Sequence, residues 1–451
     1  MKKAWHDSRI LSRLISPTRI WEYARTSFTK PARRWFRKGT WAVLDQGLFA
    51  TSNFILNILL ARWLSPDAYG AFGLTFAIFL LIGSIHSAML TEPMLVFGPG
   101  KYKDRLSEYM GSLLYGHLSF AGLGSVILLL VSAGFALSGS EALAVAMLAL
   151  ALTGPFILLL WLTRRMCYTR SEPRLAASGG AVYMTLMVAG AWILYRQEWL
   201  SVASALGVMA ISALSTSLWL MVRLRVKLPS LRRNQLLRDA FADHWAYGRW
   251  SVGNQGLNWI PMNIYYVIIP IWGGLAAGAS FKALMNLVMP MLQAVWALSI
   301  LLLPTLVRAR DMGRDRLDSS LRAALVPFVI GPTLYWLLLA LFSEPLVSWL
   351  YDGKYEDYTV LLWLLGLSPI VASVKQVMGQ SLRALERPDS LFFAYALSAV
   401  VALTLGTALV YQFGIVGAGI SLVGCQAITA ALAYLSYRRL RRLDGDRASD
   451  A

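Results

Sequence analysis

Lys and Arg gather in every second gap between about twelve apolar stretches, and this alternation constrains the chain more than any other feature. The stretches run approximately over 41–62, 68–90, 109–134, 141–163, 175–195, 200–222, 247–270, 281–306, 321–343, 357–382, 390–411 and 415–437. All but five of the 42 basic residues lie in the two tails or in and beside the even-numbered gaps. The odd-numbered gaps carry Arg62, Arg196 and Lys354, and Lys282 and Lys375 fall inside or at the edge of apolar stretches. Such alternation is the positive-inside signature. It predicts an all-α polytopic membrane protein with both termini on the cytoplasmic face.

Crossing a bilayer takes about 20 apolar residues per helix, so twelve helices use nearly all of the chain from Thr40 to Tyr437. Little is left for a soluble domain with its own active site. The formal charge of +18 therefore reads as orientation and lipid-headgroup contact rather than nucleic-acid binding. Cys167 and Cys425 lie at the end of one stretch and within another, which points to two thiols rather than a disulfide framework. His6, His86, His117 and His244 lack metal-ligand spacing and no phosphate-binding glycine loop occurs, so neither a catalytic site, a metal nor a cofactor is expected.

The segment 1–39 holds eleven basic residues among Ile10, Leu11, Leu14, Ile15, Ile20, Trp21, Trp35 and Phe36. It reads as an amphipathic arm on the anionic inner leaflet rather than a cleaved signal, with a disordered basic tail as the alternative. Residues 40–223 form a first lobe of six helices, 224–246 a basic linker in which Leu231, Leu236, Leu237 and Phe241 could make one face of a surface helix, 247–437 a second six-helix lobe, and 438–451 a tail. The lobes look related. Asp45-Gln46-Gly47-Leu48 answers to Asn254-Gln255-Gly256-Leu257, the approach to Pro173 answers to that of Pro388, and Tyr195 and Arg223 answer to Tyr411 and Arg439, at offsets of 209, 215 and 216 residues. A duplicated six-helix unit predicts two bundles about a pseudo-two-fold axis along the membrane normal, with a path between them.

Polar side chains inside the apolar stretches are costly and tend to face a cavity. Asn53 and Asn57 are one turn apart in the first stretch, and Asn254 and Asn258 repeat that spacing in the seventh. Lys282, Asn286 and Gln293 share a face of the eighth; Lys375 and Gln376 lie in the inner part of the tenth. These are the candidate cavity residues. Interhelical glue is the other reading of each Asn and Gln. Asp45, near the inner end of the first helix, either complements a helix N-terminus or has a functional role. Glu92 either lines a mouth beside a basic partner or acts in transport.

Leu64-Ser65-Pro66-Asp67-Ala68-Tyr69-Gly70-Ala71-Phe72 resembles the L-x-P-x-x-Y-G-x-F stretch of polysaccharide-biosynthesis export proteins, which include O-antigen and exopolysaccharide flippases of the multidrug/oligosaccharidyl-lipid/polysaccharide exporter superfamily. The preceding helix, Leu44 to Arg62, fits that family's first helix. Glu92-Pro93-Met94-Leu95-Val96-Phe97-Gly98 and Trp349-Leu350-Tyr351-Asp352-Gly353-Lys354-Tyr355 look like the sequences after its second helix and before its tenth. The basic arm is longer than the family pattern. The resemblance implies two six-helix bundles working by alternating access, without enzymatic activity. The implied role is to carry a polyprenyl-pyrophosphate-linked oligosaccharide across the bacterial inner membrane for O-antigen, lipopolysaccharide or exopolysaccharide assembly. It implies cationic cavity residues, for which Lys375 and Lys282 stand, and an acidic coupling residue, for which Asp45 stands. Partners would be the lipid-linked oligosaccharide, anionic inner-leaflet lipids through the arm, and a glycan polymerase or glycosyltransferases. A cation-coupled small-molecule exporter of the same fold and a non-transport scaffold in glycan assembly are the competing readings.

Overall fold

The computed structural model describes residues 30–230, 235–387 and 389–449. Most of the basic arm (1–29), together with Leu231, Arg232 and Arg233 of the linker, lies outside them. The described residues are helical throughout, without strands, and ten helical stretches are long and apolar enough to cross a membrane. Two of the ten are hairpins. The stretch from Gln235 to Asp311 turns at Gly274 (φ 77°), and that from Asp389 to Arg441 turns at Gly414 (φ 57°), where a left-handed backbone suits only glycine well. Splitting them gives the twelve helices expected of this multi-pass membrane protein.

These are α1 (Lys30–Trp63), α2 (Pro66–His86), α3 (Leu106–Leu137), α4 (Glu141–Thr169), α5 (Pro173–Arg196) and α6 (Val202–Arg223). The second half has α7 (Gln235–Asn263, continued over 265–273), α8 (275–311), α9 (Arg314–Leu341), α10 (Leu361–Leu365 and Ser368–Ala384), α11 (Asp389–Val401, continued to 413) and α12 (415–449). Local signals explain several starts. Ser65 caps α2 by accepting the Ala68 N–H at 3.3 Å, with Pro66 in the first turn and Asp67 against the positive end of the helix dipole. Ser201 and Ser204 form a reciprocal capping box on α6.

Two boundaries differ from the sequence expectation. The last residues of the arm belong to α1, which starts at Lys30. The second part of the 224–246 linker is no separate surface helix, because it runs unbroken into α7 with Leu236 and Ala240 buried. The apolar face of that segment is used to seat α7 on the first half.

The halves repeat one packing scheme. In each, the first helix lies on the fifth, the third on the fourth, the fourth on the sixth and the fifth on the sixth. Between halves, α2 packs along α8, α1 meets the α7–α8 hairpin and α7 meets α2, which is the arrangement a pseudo-two-fold axis between the bundles requires. The basic residues of the even-numbered gaps collect at one end of the bundle, termed the basic end. One apolar core runs through the first half and into the second, from Leu56 and Phe72 through Phe281 and Leu284 to Leu361 and Leu422, and at the basic end it takes in Leu236 and Ala240 of α7. At the basic end the second half closes a core of its own, with Val295, Leu306, Leu321, Leu382 and Tyr437. Both cysteines are buried and unpaired.

Candidate functional site

Two seams join the halves, one at each end. At the opposite end α2 and α8 meet backbone to backbone. A Cβ on Gly70 would lie 1.9 Å from the Leu275 carbonyl oxygen, so the Tyr-Gly of the α2 turn is a site of close approach where no larger residue fits. The turn after the short helix Ser343–Tyr351 docks beside it. Lys354 Nζ donates to the carbonyls of Arg62 (2.7 Å) and Leu64 (2.9 Å), and Tyr355 donates to that of Ala61 (3.3 Å). These are carbonyls at the C-terminal end of α1, left without helical partners, and a cation there also meets the negative end of the helix dipole. Arg62 reaches back to the Trp349 carbonyl (3.1 Å) and Asp352 (3.5 Å). Burial pulls the Lys354 ammonium below the ordinary lysine range, with Asp352 opposing the shift. The two turns singled out in the sequence thus touch one another across the halves.

Removing this cap should loosen the seam. Lys354→Met is expected to weaken it by about 1 kcal/mol, raising the seam-open population roughly fivefold. Spin labels at the exposed Ser138 and Phe413 would read the change as a longer interspin distance. An unchanged distance distribution would show that Lys354 does not hold the seam.

At the basic end the seam is polar and runs between α2 and α7. Glu92, in the short helix Glu92–Phe97, accepts from Ser251 and from Gln255 Nε2 (2.8 Å) rather than from a basic residue. Asp243 accepts from Lys101 (2.7 Å) and Tyr102 (2.6 Å). His244 bonds the Tyr109 hydroxyl (2.6 Å) and the Met89 carbonyl (2.9 Å). Gly248 lets α7 approach Met89 and Ala88, since a Cβ there would lie 2.7 Å from the Met89 sulfur.

The asparagines of α1, by contrast, bond only to their own helix. Asn53 Nδ2 donates to the Phe49 carbonyl (2.9 Å) and Asn57 Nδ2 to that of Asn53 (2.8 Å), while Gln46 is exposed. Asn254 is exposed; Asn258, Gln293 and Gln376 are half-buried, and none of the four has a hydrogen bond to protein among the described residues. Asn286 is buried with its amide nitrogen unpartnered. The α1, α7 and α8 candidates are thus not bonded to one another among the described residues, and Asn57 and Asn286 sit beside Leu56 and Leu284 of the shared core.

Asp45 is taken up differently. It is fully buried on α1, and its carboxylate accepts from Arg164 Nε (3.2 Å) and Nη2 (2.8 Å) and from the Tyr168 hydroxyl (2.6 Å). The Arg164 guanidinium also stacks 4.0 Å from the Phe49 ring centre. The sequence places Arg164 with the orientation-setting cluster of its gap, yet the residue is buried; Asp45 draws it inward. A buried acid on a neighbouring helix was the one signal that a cation of that cluster had to turn in.

Lys282 is buried on α8 and enclosed by rings from two other helices. Its Nζ lies 4.8, 5.2 and 5.9 Å from the ring centres of Phe76, Phe72 and Tyr69 on α2, and 5.6 Å from that of Tyr266. Gly73 makes room for its stem, because a Cβ there would sit 2.7 Å from the lysine Cδ. Cation–π contact is the main support for this charge, and no carboxylate lies within ion-pair distance of it among the described residues. Lys375, on the almost wholly buried second segment of α10, likewise has no acidic partner there. The structure does not bring the two lysines together: Lys282 belongs to the α2–α8 seam and Lys375 to the interior of the second half.

Sequence comparison gives no match to a known protein family and none to curated proteins. Solved structures do match in shape. An inward-facing multidrug resistance MATE family transporter of the MOP superfamily superposes with a TM-score of 0.75 at 15% identity, over 91% of this chain and all of that one. The lipid II flippase MurJ in its inward closed conformation gives 0.72 at 12% identity, over 88% of this chain and 87% of that one. The chain has the fold of the MOP-superfamily transporters. An outward-facing MATE structure matches less well, at 0.64 and 16% identity over 90% of this chain and 96% of that one.

Proposed function

We propose that the protein carries an anionic lipid-linked substrate, a polyprenyl-pyrophosphate-linked oligosaccharide, across the bacterial inner membrane by alternating access. The observation that carries this reading is the pairing state of the buried charges. Lys282 and Lys375 lack acidic partners, whereas Asp45 and Glu92 are already bonded within the protein. A buried cation without a counter-ion is costly, and an incoming pyrophosphate would supply one. The basic end faces the cytoplasm by the positive-inside rule, with both termini there. The substrate would enter where the halves have separate cores, and the polar faces of α1, α7 and α8 would meet its sugars. The likeness to a lipid II flippase supports the substrate class, and the family-like turns, now seen to latch the halves, support the mechanism. Asp45 serves as an internal clamp on this reading rather than as the coupling residue.

Export of surface glycan in a deletion strain complemented with Lys375→Ala tests the reading. Export is expected to fall roughly tenfold, the worth of about 1.5 kcal/mol of charge-assisted contact. Full export at matched protein level would remove Lys375 from the mechanism. The likeness to a multidrug MATE transporter favours a second reading, export of small cations. A cation site needs a free acid, so drug sensitivity of the deletion strain with its glycan intact would favour that alternative.

A further inference from the structure

His86 and His117 are 31 residues apart in sequence and hydrogen-bonded in space, His86 Nε2 to His117 Nδ1 at 3.0 Å, with their rings edge to face. Both are buried, and Phe120 closes a third side edge-on. His86 Nδ1 is enclosed without a partner. A neutral imidazole holds one N–H. If His117 donated within the pair, His86 would carry a buried N–H with nothing to receive it. If His86 donates, its Nδ1 is a bare lone pair, which costs less. The pair therefore presents one vacant basic nitrogen, sealed from water.

The position of the pair matters as much as its chemistry. His86 is the last residue of α2 before a π-helical turn, Ser87–Thr91, in which the backbone ladder is locally widened. That turn is what the second half touches at the basic end: His244 bonds the Met89 carbonyl, Gly248 abuts Ala88 and Met89, and Glu92 follows one residue later with Ser251 and Gln255. A π-helical turn thus lies between a titratable pair and an interlobe seam.

We propose that the His86–His117 pair is a proton-binding site that couples protonation to the α2–α7 seam. One proton taken up at His86 Nδ1 turns that atom from an orphan acceptor into a charged donor. It must then find a carbonyl, and the π-helical turn is the nearest backbone whose ladder can rearrange to offer one. Shifting that turn draws the Met89 carbonyl from His244 and opens the seam. The pair accepts a single proton, because a second would destroy the lone pair that holds the rings together. The other titratable groups on the packed elements do not compete. Lys282 on α8, Arg164 and Cys167 on α4, and Tyr109 and Tyr115 on α3 make no polar contact with either ring. His244 and Tyr247 on α7 and Glu92 beyond the turn lie farther along the seam, with His244 and Glu92 bonded there.

The test needs no substrate and so stands apart from the flippase reading. The full-length protein in lipid nanodiscs would carry spin labels at Lys103→Cys and Phe241→Cys, exposed positions on either side of the seam; both native cysteines are buried. Acidification from about pH 8 to about pH 4 reaches below the ordinary histidine range, as a buried imidazole requires, and is expected to populate a longer distance. His86→Gln and His117→Gln keep a hydrogen-bonding side chain without titrating, and each should abolish the response. Persistence of the wild-type response in both variants would overturn the proposal. Solid-state NMR of 15N-histidine-labelled wild-type protein reads the pair directly, and absence of a new imidazolium signal from it across that pH range would also overturn it.

Discussion

Replacing Arg164 by alanine is expected to cost about 3–5 kcal/mol, because it strands a fully buried carboxylate. Asp45 would keep only the Tyr168 hydroxyl and the weak 3.4 Å contact from Gln46. Relief by water is obstructed: Gly180 of α5 packs so close that a Cβ on it would be 3.3 Å from the Asp45 oxygen. Removing both charges together, as Asp45→Asn with Arg164→Gln, should restore most of the loss, since the desolvation cost of the ions disappears with their attraction. Thermal unfolding in nanodiscs measures this. A single variant melting within about one degree of wild type would show that the ion pair does not hold α1 to α4. Asp45→Asn alone should then lower stability more than turnover, the reverse of what a coupling residue would give.

Lys282→Gln should reduce flipping of a fluorescent polyprenyl-pyrophosphate disaccharide in proteoliposomes by about ten- to a hundredfold, the range that loss of one charge-assisted hydrogen bond predicts. The aromatic enclosure makes the effect large. Rings surround the amine and no carboxylate among the described residues pairs with it, so it stays available to an anion. Lys282→Arg should rescue poorly, because Gly73 leaves the stem no lateral room and a planar guanidinium cannot face Phe72, Phe76 and Tyr266 together. Unchanged flipping by the glutamine variant at matched protein amounts would place Lys282 in packing alone.

What could be read from the sequence was whatever depends on one helix at a time. Hydropathy and charge alternation located twelve spans, including the pairs that turn at Gly274 and Gly414, and the weak internal repeat anticipated a packing scheme that recurs in both halves. The site was legible only in part. Tyr69, Phe72 and Phe76 share a face of α2 at i, i+3 and i+7, so an aromatic stripe was visible; that Lys282 enters it depends on how α2 meets α8. His86 and His117 were read as scattered because histidine spacing within a helix says nothing about a neighbour across a helix pair. Arg164 was hidden for a different reason, since a basic residue at a helix end satisfies the charge rule whether it faces lipid headgroups or turns inward.

The opposite-end seam has one further consequence. Its acceptors are main-chain carbonyls of Ala61, Arg62 and Leu64, and its donors are the side chains of Lys354 and Tyr355. Substitution can erase a side chain but not a carbonyl. For these three bonds the first half contributes a fixed receptor, indifferent to which residues occupy those positions, and the adjustable partners lie in the second half; Arg62, through its bonds to Trp349 and Asp352, is the erasable donor on the first half. A change in how tightly this end is held would be written at residues 62, 354 and 355, or by a proline or glycine that unwinds the end of α1.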